Sequence, residues 1–111
     1  MGLEQMTPEA AELISRRFRA LSEPIRLRIL YELRERGEAS VGELTEALGT
    51  SQQNVSKHLG TLHAEGFIAR RKDKTRAIYS ISDRGVLDLC DRVCSGLEAQ
   101  LTEIESLISS S

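Results

Sequence analysis

Apolar positions along this 111-residue chain fall into four helical stripes, one short alternating stretch and a long terminal seam. The first stripe is Ala11, Ile14, Phe18 and Leu21, at spacings of three and four. Thr7-Pro8-Glu9 precedes it, with Thr as cap, Pro in the first turn and Glu at the positive end of the helix dipole. A helix over 7–21 is expected, after a loose tail over 1–6. Ser22-Glu23-Pro24 interrupts the chain and restarts it as a second helix, lined by Ile25, Ile29, Leu30 and Leu33 and closed by Gly37. Ser40 with Glu43 three residues on has capping-box spacing, and opens a short third helix whose face is Leu44, Ala47 and Leu48. Gly49 supplies its left-handed stop. Thr50 or Ser51 caps a fourth helix, in which Val55, Leu59 and Leu62 form the buried stripe and Gly66 marks the end.

The polar positions of that fourth helix carry the first functional signal. Ser51, Gln52, Gln53, Ser56, Lys57 and His58 lie off the stripe and offer hydroxyl, amide, ammonium and imidazole groups outward. Two helices over 41–66, joined by a tight turn and with a donor-rich outer face on the second, are the pattern of a helix-turn-helix. Phe67 and Ile68 then begin a strand, and Ala77 to Ile81 read as its return. Between them Arg70, Arg71, Lys72, Lys74 and Arg76 crowd a turn opposed only by Asp73. A basic-tipped hairpin over 67–81, placed after such a helix, is a wing. The helix suits base edges in a major groove, and Arg71, Lys72, Lys74 and Arg76 suit phosphate.

The terminal segment predicts one long helix over 84–108, capped by Ser82 or Asp83. Cys90, Cys94, Leu97, Leu101, Ile104 and Ile108 recur at alternating spacings of four and three, which is a heptad-like seam. Val86, Leu89 and Val93 widen it near the start. Because this helix follows a finished domain, its seam is expected to meet the same helix of a second copy. Ser109 to Ser111 are expected to fray.

The run SQQNVSKHLGTLHAEGFIARRKDKTRAIYSI, together with the earlier LSEPIRLRILYEL, resembles the DNA-binding core of the ArsR/SmtB winged-helix repressors. The resemblance covers roughly Ala11 to Asp83. It implies a mainly α fold with a small β-hairpin, a single winged helix-turn-helix domain paired as a homodimer through its first and last helices. It also implies a repressor that leaves its operator when an inducer binds. The partner would be double-stranded DNA carrying an imperfect palindrome, since two-fold symmetry sets the half-sites about 34–36 Å apart. Wings of that family often carry Gly at the tip. Here the tip is Lys72-Asp73-Lys74-Thr75, and Asp73 is the residue expected to tolerate a left-handed conformation.

Charge sharpens the picture. The net charge is -2, yet residues 51–81 carry six Lys/Arg against two acids, and residues 82–111 carry two Arg against six acids. A basic segment inside a slightly acidic chain fits local attraction to a polyanion. Arg16, Arg17 and Arg19 read as a solvated helix side or as a flank touching DNA backbone, and Arg26 and Arg28 as water-facing. No apolar run approaches the roughly 20 residues that span a bilayer, and no basic-then-apolar signal opens the chain, so cytoplasmic residence without membrane contact is expected. No nucleophile is paired with a base at a suggestive spacing, which argues against an enzyme. A winged helix used for protein contacts would have no need of the wing cations.

Two cysteines do not make a disulfide scaffold. Cys90 and Cys94 stand one turn apart on the seam, and three readings remain open. They pack as small hydrophobes; or they hold a thiophilic metal or metalloid such as arsenite or antimonite, with a third sulfur from the partner chain; or they form a redox or reactive-sulfur switch. A bridge within the helix is disfavoured, because Cβ atoms four residues apart sit about 5–6 Å from each other against the roughly 3.8 Å a disulfide needs. The resembled family's Cys-x-Cys pair is absent from Val41–Leu48, and the terminal helix has no His. Asp88, Asp91 and Glu98 alone would make a poor zinc site. His63 reads as a surface or packing residue.

Overall fold

Local signals set most element boundaries in the computed structural model, which describes residues 2–109. Thr7 accepts the Ala10 N–H at 3.1 Å and starts α1 (Pro8–Leu21). α2 (Pro24–Arg36) ends at Gly37, whose φ of 83° an L side chain would resist. α3 (Val41–Leu48) opens with the full capping box: Glu43 N–H donates to Ser40 Oγ at 3.2 Å, and Ser40 N–H donates to the Glu43 carboxylate at 2.9 Å. That backbone bond holds the Glu43 carboxyl below its ordinary range. α4 (Gln52–Ala64) is capped by Ser51, which accepts the Asn54 N–H at 3.1 Å. It stops two residues before Gly66, in a Schellman arrangement: Phe67 N–H donates to the Leu62 carbonyl and Gly66 N–H to that of His63.

A three-stranded antiparallel sheet follows the order β1-β3-β2, with β1 at Glu38–Ser40, β2 at Ile68–Asp73 and β3 at Arg76–Ile81. The hairpin of β2 and β3 is the expected wing. The sequence reading missed β1, which pairs Ala39 with Tyr79 and Ser40 with Ile78. The wing turn also needs correction. Asp73 is the last paired residue, opposite Arg76, so the loop is Lys74-Thr75. Lys74, not Asp73, takes the positive φ, at 59°, and it is the one non-glycine residue to do so among those described. A positive φ at the first loop residue alone matches a type II′ turn.

The core gathers Ile29, Leu30 and Leu33 of α2, Leu44 of α3, and Val55, Leu59 and Leu62 of α4, against Phe67, Ile68 and Tyr79. α5 (Arg84–Ser109) joins this core only through its first two turns, where Val86 and Leu87 are buried and Leu89 and Cys90 half-buried. From Asp91 onward it projects from its own chain, which stretches the molecule to 59 × 40 × 21 Å. The expected fraying begins too early, since Ser109 is still helical, and Ser110 and Ser111 lie outside the described residues. At the other end the expected loose tail contains an exposed 3-10 turn, Leu3–Gln5, while Met1 lies outside the described residues. Phe18, placed on the inner stripe of α1, is 54% exposed in the single chain. No helix among the described residues is long and apolar enough to cross a membrane.

Candidate nucleic-acid interface

Val55, Leu59 and Leu62 root α4 in the core and thereby aim its opposite side outward. Gln52, Gln53, Ser56 and Lys57 are all exposed on that side, and Ser51 is exposed at its head. The first-turn N–H groups and the positive dipole end lie at this head, which favours an anion there. Beside the helix start runs a groove lined by Ser40, Val41, Gly42, Glu43 and Glu46 on one flank and Thr75, Arg76 and Ala77 on the other, with Gln52 in it. Helix and wing therefore share one concavity, which Gln52 and Arg76 both line.

His58 does not belong to this outer face. It is only 6% exposed, and Arg26 Nε donates to its Nδ1 at 3.0 Å. The imidazole is thus neutral, with its proton on Nε2. Burial, then the charges of Arg26 and Lys57, push its pKa below the ordinary value, and Glu23 opposes them. Val55, His58, Leu59 and Leu62 together make the complete i, i+3, i+4, i+7 stripe; the polar identity of His58 disguised its place in it. Arg26 is likewise not water-facing. One of its terminal guanidinium nitrogens reaches the last carbonyls of α1, those of Ala20 at 3.2 Å and Arg19 at 3.4 Å.

On the wing the cations divide. Arg71 pairs with Glu38 at 2.9 Å, reaching across β3 to β1, so its charge is largely met within the chain. Lys72, Lys74 and Arg76 are exposed and, like Lys57, make no salt bridge among the described residues. Arg70, which sequence reasoning left out of the contact set, is exposed beside Lys72 and shares a shallow pocket with His63. Strand alternation offered a signal for it, since Arg70 and Lys72 fall on one face of β2 and Arg71 on the other.

Two of the three arginines of α1 are internal ties, while the third, Arg19, is exposed. Arg16 pairs with Glu65 at 2.9 Å. Arg17 donates to the Glu65 carbonyl at 2.8 Å and to the Asp83 carboxylate at 3.1 Å, with its guanidinium 4.5 Å from the Phe67 ring centroid. Arg28 is exposed and reaches the Leu48 carbonyl at 3.4 Å.

Both thiols are free, Cys90 half-buried and Cys94 exposed. They border an apolar groove of about 400 Å³ between α1, α2 and α5, walled by Phe18, Leu21, Leu27, Leu89, Val93 and Leu97. Burial raises the Cys90 pKa, Asp91 adds to this, and Arg34 works against it. Cys94 faces Glu98, with Sγ 3.8 Å from its carboxylate. Among the described residues no group of three or more His, Cys, Asp or Glu side chains could hold a metal ion. One chain therefore offers two soft donors and no third.

The profile described as "Bacterial regulatory protein, arsR family" matches residues 23–70. A probable mercury resistance operon repressor of Streptomyces lividans is 41% identical over 75 residues, covering 68% of this chain and 59% of that protein, so the match spans about three-fifths of its length. An arsenical resistance operon repressor of Bacillus subtilis is 31% identical over 84 residues, covering 76% of this chain and 80% of that protein. Among solved structures, Rv0081 of Mycobacterium tuberculosis superimposes with a TM-score of 0.78 at 34% identity, covering 88% of this chain and 97% of that one. A homodimeric winged helix-turn-helix DNA-binding domain, Mb0332 of Mycobacterium bovis, gives 0.71 at 29% identity, covering 85% and 88%.

Proposed function

The chain belongs to the arsR family of bacterial regulatory proteins, and on that premise we propose that it is a homodimeric repressor that grips an imperfect palindrome in double-stranded DNA. One observation carries the reading. Four exposed polar side chains at the head of α4 stand beside a wing whose Lys72, Lys74 and Arg76 make no salt bridge among the described residues. Gln52, Gln53 and Ser56 would read base edges, and Ser51 would anchor the helix start. Lys57, Lys72, Lys74 and Arg76 would neutralise phosphates, with Arg71 contributing less because Glu38 already meets it.

The dimer follows from α5. Leu97, Leu101, Ile104 and Ile108 are 51–69% exposed in one chain, a continuous apolar seam that a second copy of α5 would cover, with Phe18 of α1 on its border. Salt titration tests the DNA reading. The four cations assigned to phosphates are eight per dimer, so log affinity should fall against log salt with a slope of about −7, about 10⁴-fold between 50 and 200 mM. A flat response would overturn it in favour of a protein-contact module.

The inducer reading rests on the two thiols. The names of the mercury and arsenical repressors point to soft ions, and Cys90 and Cys94 lie on one helix face of the proposed interface. Two sulfurs complete only part of such a site, so the remaining donor would come from the second copy. A packing role has its own support at Cys90, which is half-buried against the groove. A Cys90→Ser, Cys94→Ser double variant separates the two. Release from DNA by arsenite or by a persulfide donor should be lost if the thiols sense, and retained if they only pack.

A further inference from the structure

We propose that Arg17 is a positioning residue that transmits movement of α5 to the recognition helix α4. The inference deepens the regulatory reading above and rests on it for its purpose, though not for its test. Three observations converge on this side chain. Its two terminal nitrogens bind different elements, the Glu65 carbonyl at the end of α4 and the Asp83 carboxylate at the start of α5. Its plane lies over Phe67, the residue that closes the Schellman end of α4 and begins the wing. Asp83 is itself the cap of α5, accepting the Gly85 N–H at 2.9 Å.

The surroundings explain why one side chain matters. α1 and α5 do not close tightly over this corner. A cavity of about 270 Å³ lies between them, walled by Ile14, Phe18, Leu21, Val86 and Leu89, with Arg17 and Asp83 as its charged groups. An apolar gap leaves α5 free to shift against α1 at little packing cost, so the polar tie at its rim fixes their relation. The main-chain bonds from Ser82 and Asp83 N–H to the Phe67 carbonyl carry α5 to the wing root, but not to α4. Ser82 Oγ also donates to the Gly66 carbonyl just past α4 at 2.9 Å, but Arg17 is the side chain that ties the α5 cap Asp83 to the α4 end Glu65, and it does so from α1. Its planar fork suits this double donation, which a lysine ammonium on a flexible stem does not reproduce.

The test uses the DNA-free protein and two perturbations together. Cys90→Ala opens a small space on α5, and amide resonances are followed in two-dimensional NMR. In the native background this change should shift the amides of Gln52 to Lys57 as well as those near residue 90. In an Arg17→Lys background the shifts near residue 90 should persist and those in α4 should be lost. Shifts in α4 that are equal in both backgrounds, or absent from the first, would overturn the proposal. If Arg17→Lys does not fold, Asp83→Asn replaces it, since it weakens one arm of the tie and leaves the Glu65 bond in place. A purely stabilising Arg17 would lower the melting temperature without changing which amides respond. Because no DNA is present, failure here leaves the operator reading standing, and failure of the salt titration leaves this one standing.

Discussion

Acid should loosen the recognition helix through His58, and the sign follows from one hydrogen bond. Arg26 Nε donates to Nδ1 at 3.0 Å, so the folded state accepts only the neutral imidazole. Protonation would set two donors against each other, next to a guanidinium and with Lys57 also contributing positive charge. The folded pKa is accordingly depressed below the ordinary value of about 6.5. A depressed histidine contributes stability that is complete above the unfolded pKa and is lost as pH falls below it, since the unfolded chain then binds the extra proton. The limiting slope for one such group is about 1.4 kcal/mol per pH unit for each chain. Groups facing His58 include Glu23, which opposes the shift, and no other shifted group interferes between pH 5.5 and 7.5: Glu43 titrates below the window and Cys90 above it.

Two substitutions separate titration from packing. His58→Gln keeps an acceptor for Arg26 without a proton to gain, so it should flatten the pH dependence while costing little at pH 7.5. His58→Ala removes the bond to a charged donor, at about 1.5–3 kcal/mol, and leaves a cavity in a site only 6% exposed. The sum is roughly 2–4 kcal/mol. At about 4–8 °C per kcal/mol this is a large fall in melting temperature, measured by circular dichroism at fixed chain concentration. If His58→Gln kept the native pH slope, the titrating group would lie elsewhere and the reasoning would fail.

The wing tip separates strain from charge. Lys74→Gly relieves a left-handed backbone costing about 1 kcal/mol, so it should melt higher than Lys74→Ala, while both weaken every DNA sequence alike and reduce the salt slope by about 2 per dimer. Gln53→Ala should relax base preference and leave the salt slope unchanged, measured by binding to single-base operator variants. Were Gln53→Ala and Lys74→Ala to behave identically, the division between helix and wing would be wrong. Leu101→Asp places a charge on the α5 seam and should yield monomers in sedimentation at micromolar concentration; an unaltered dimer would move the interface elsewhere.

Signals that act within one turn of helix were legible from residues alone. Thr7, Ser40 with Glu43, Gly49 and Ser51 stop or start helices through partners three or four residues away, so their geometry is written in adjacent letters. β1 was not legible. Glu38-Ala39-Ser40 has neither alternation nor β-branched residues, and it becomes a strand only because β3, some forty residues later, offers it a free edge. The wing turn failed for a related reason. Composition favoured Asp73 for the left-handed position, but register decides it, and pairing Asp73 with Arg76 passes the strain to Lys74.

The arginines mark where pattern reading runs out, and they also show how this small domain is held together. Helical spacing assigned Arg17 and Arg26 to a solvent or DNA-facing side because their charges lie off the apolar stripes. Their partners are 48, 66 and 32 residues away in sequence. Each reaches a place where a helix ends, Arg26 at the last carbonyls of α1 and Arg17 at the last of α4, where unmet carbonyls need donors. A long cation with several donors satisfies them while its stem covers apolar surface. Arg26 fixes α4 from the α2 side through His58, and Arg17 fixes it from the α1 and α5 side through Glu65. The head of α4 is thereby left with only the Ser51 cap and the Asn54–Thr50 bond as internal duties, which is the condition for Gln52, Gln53, Ser56 and Lys57 to face a nucleic acid.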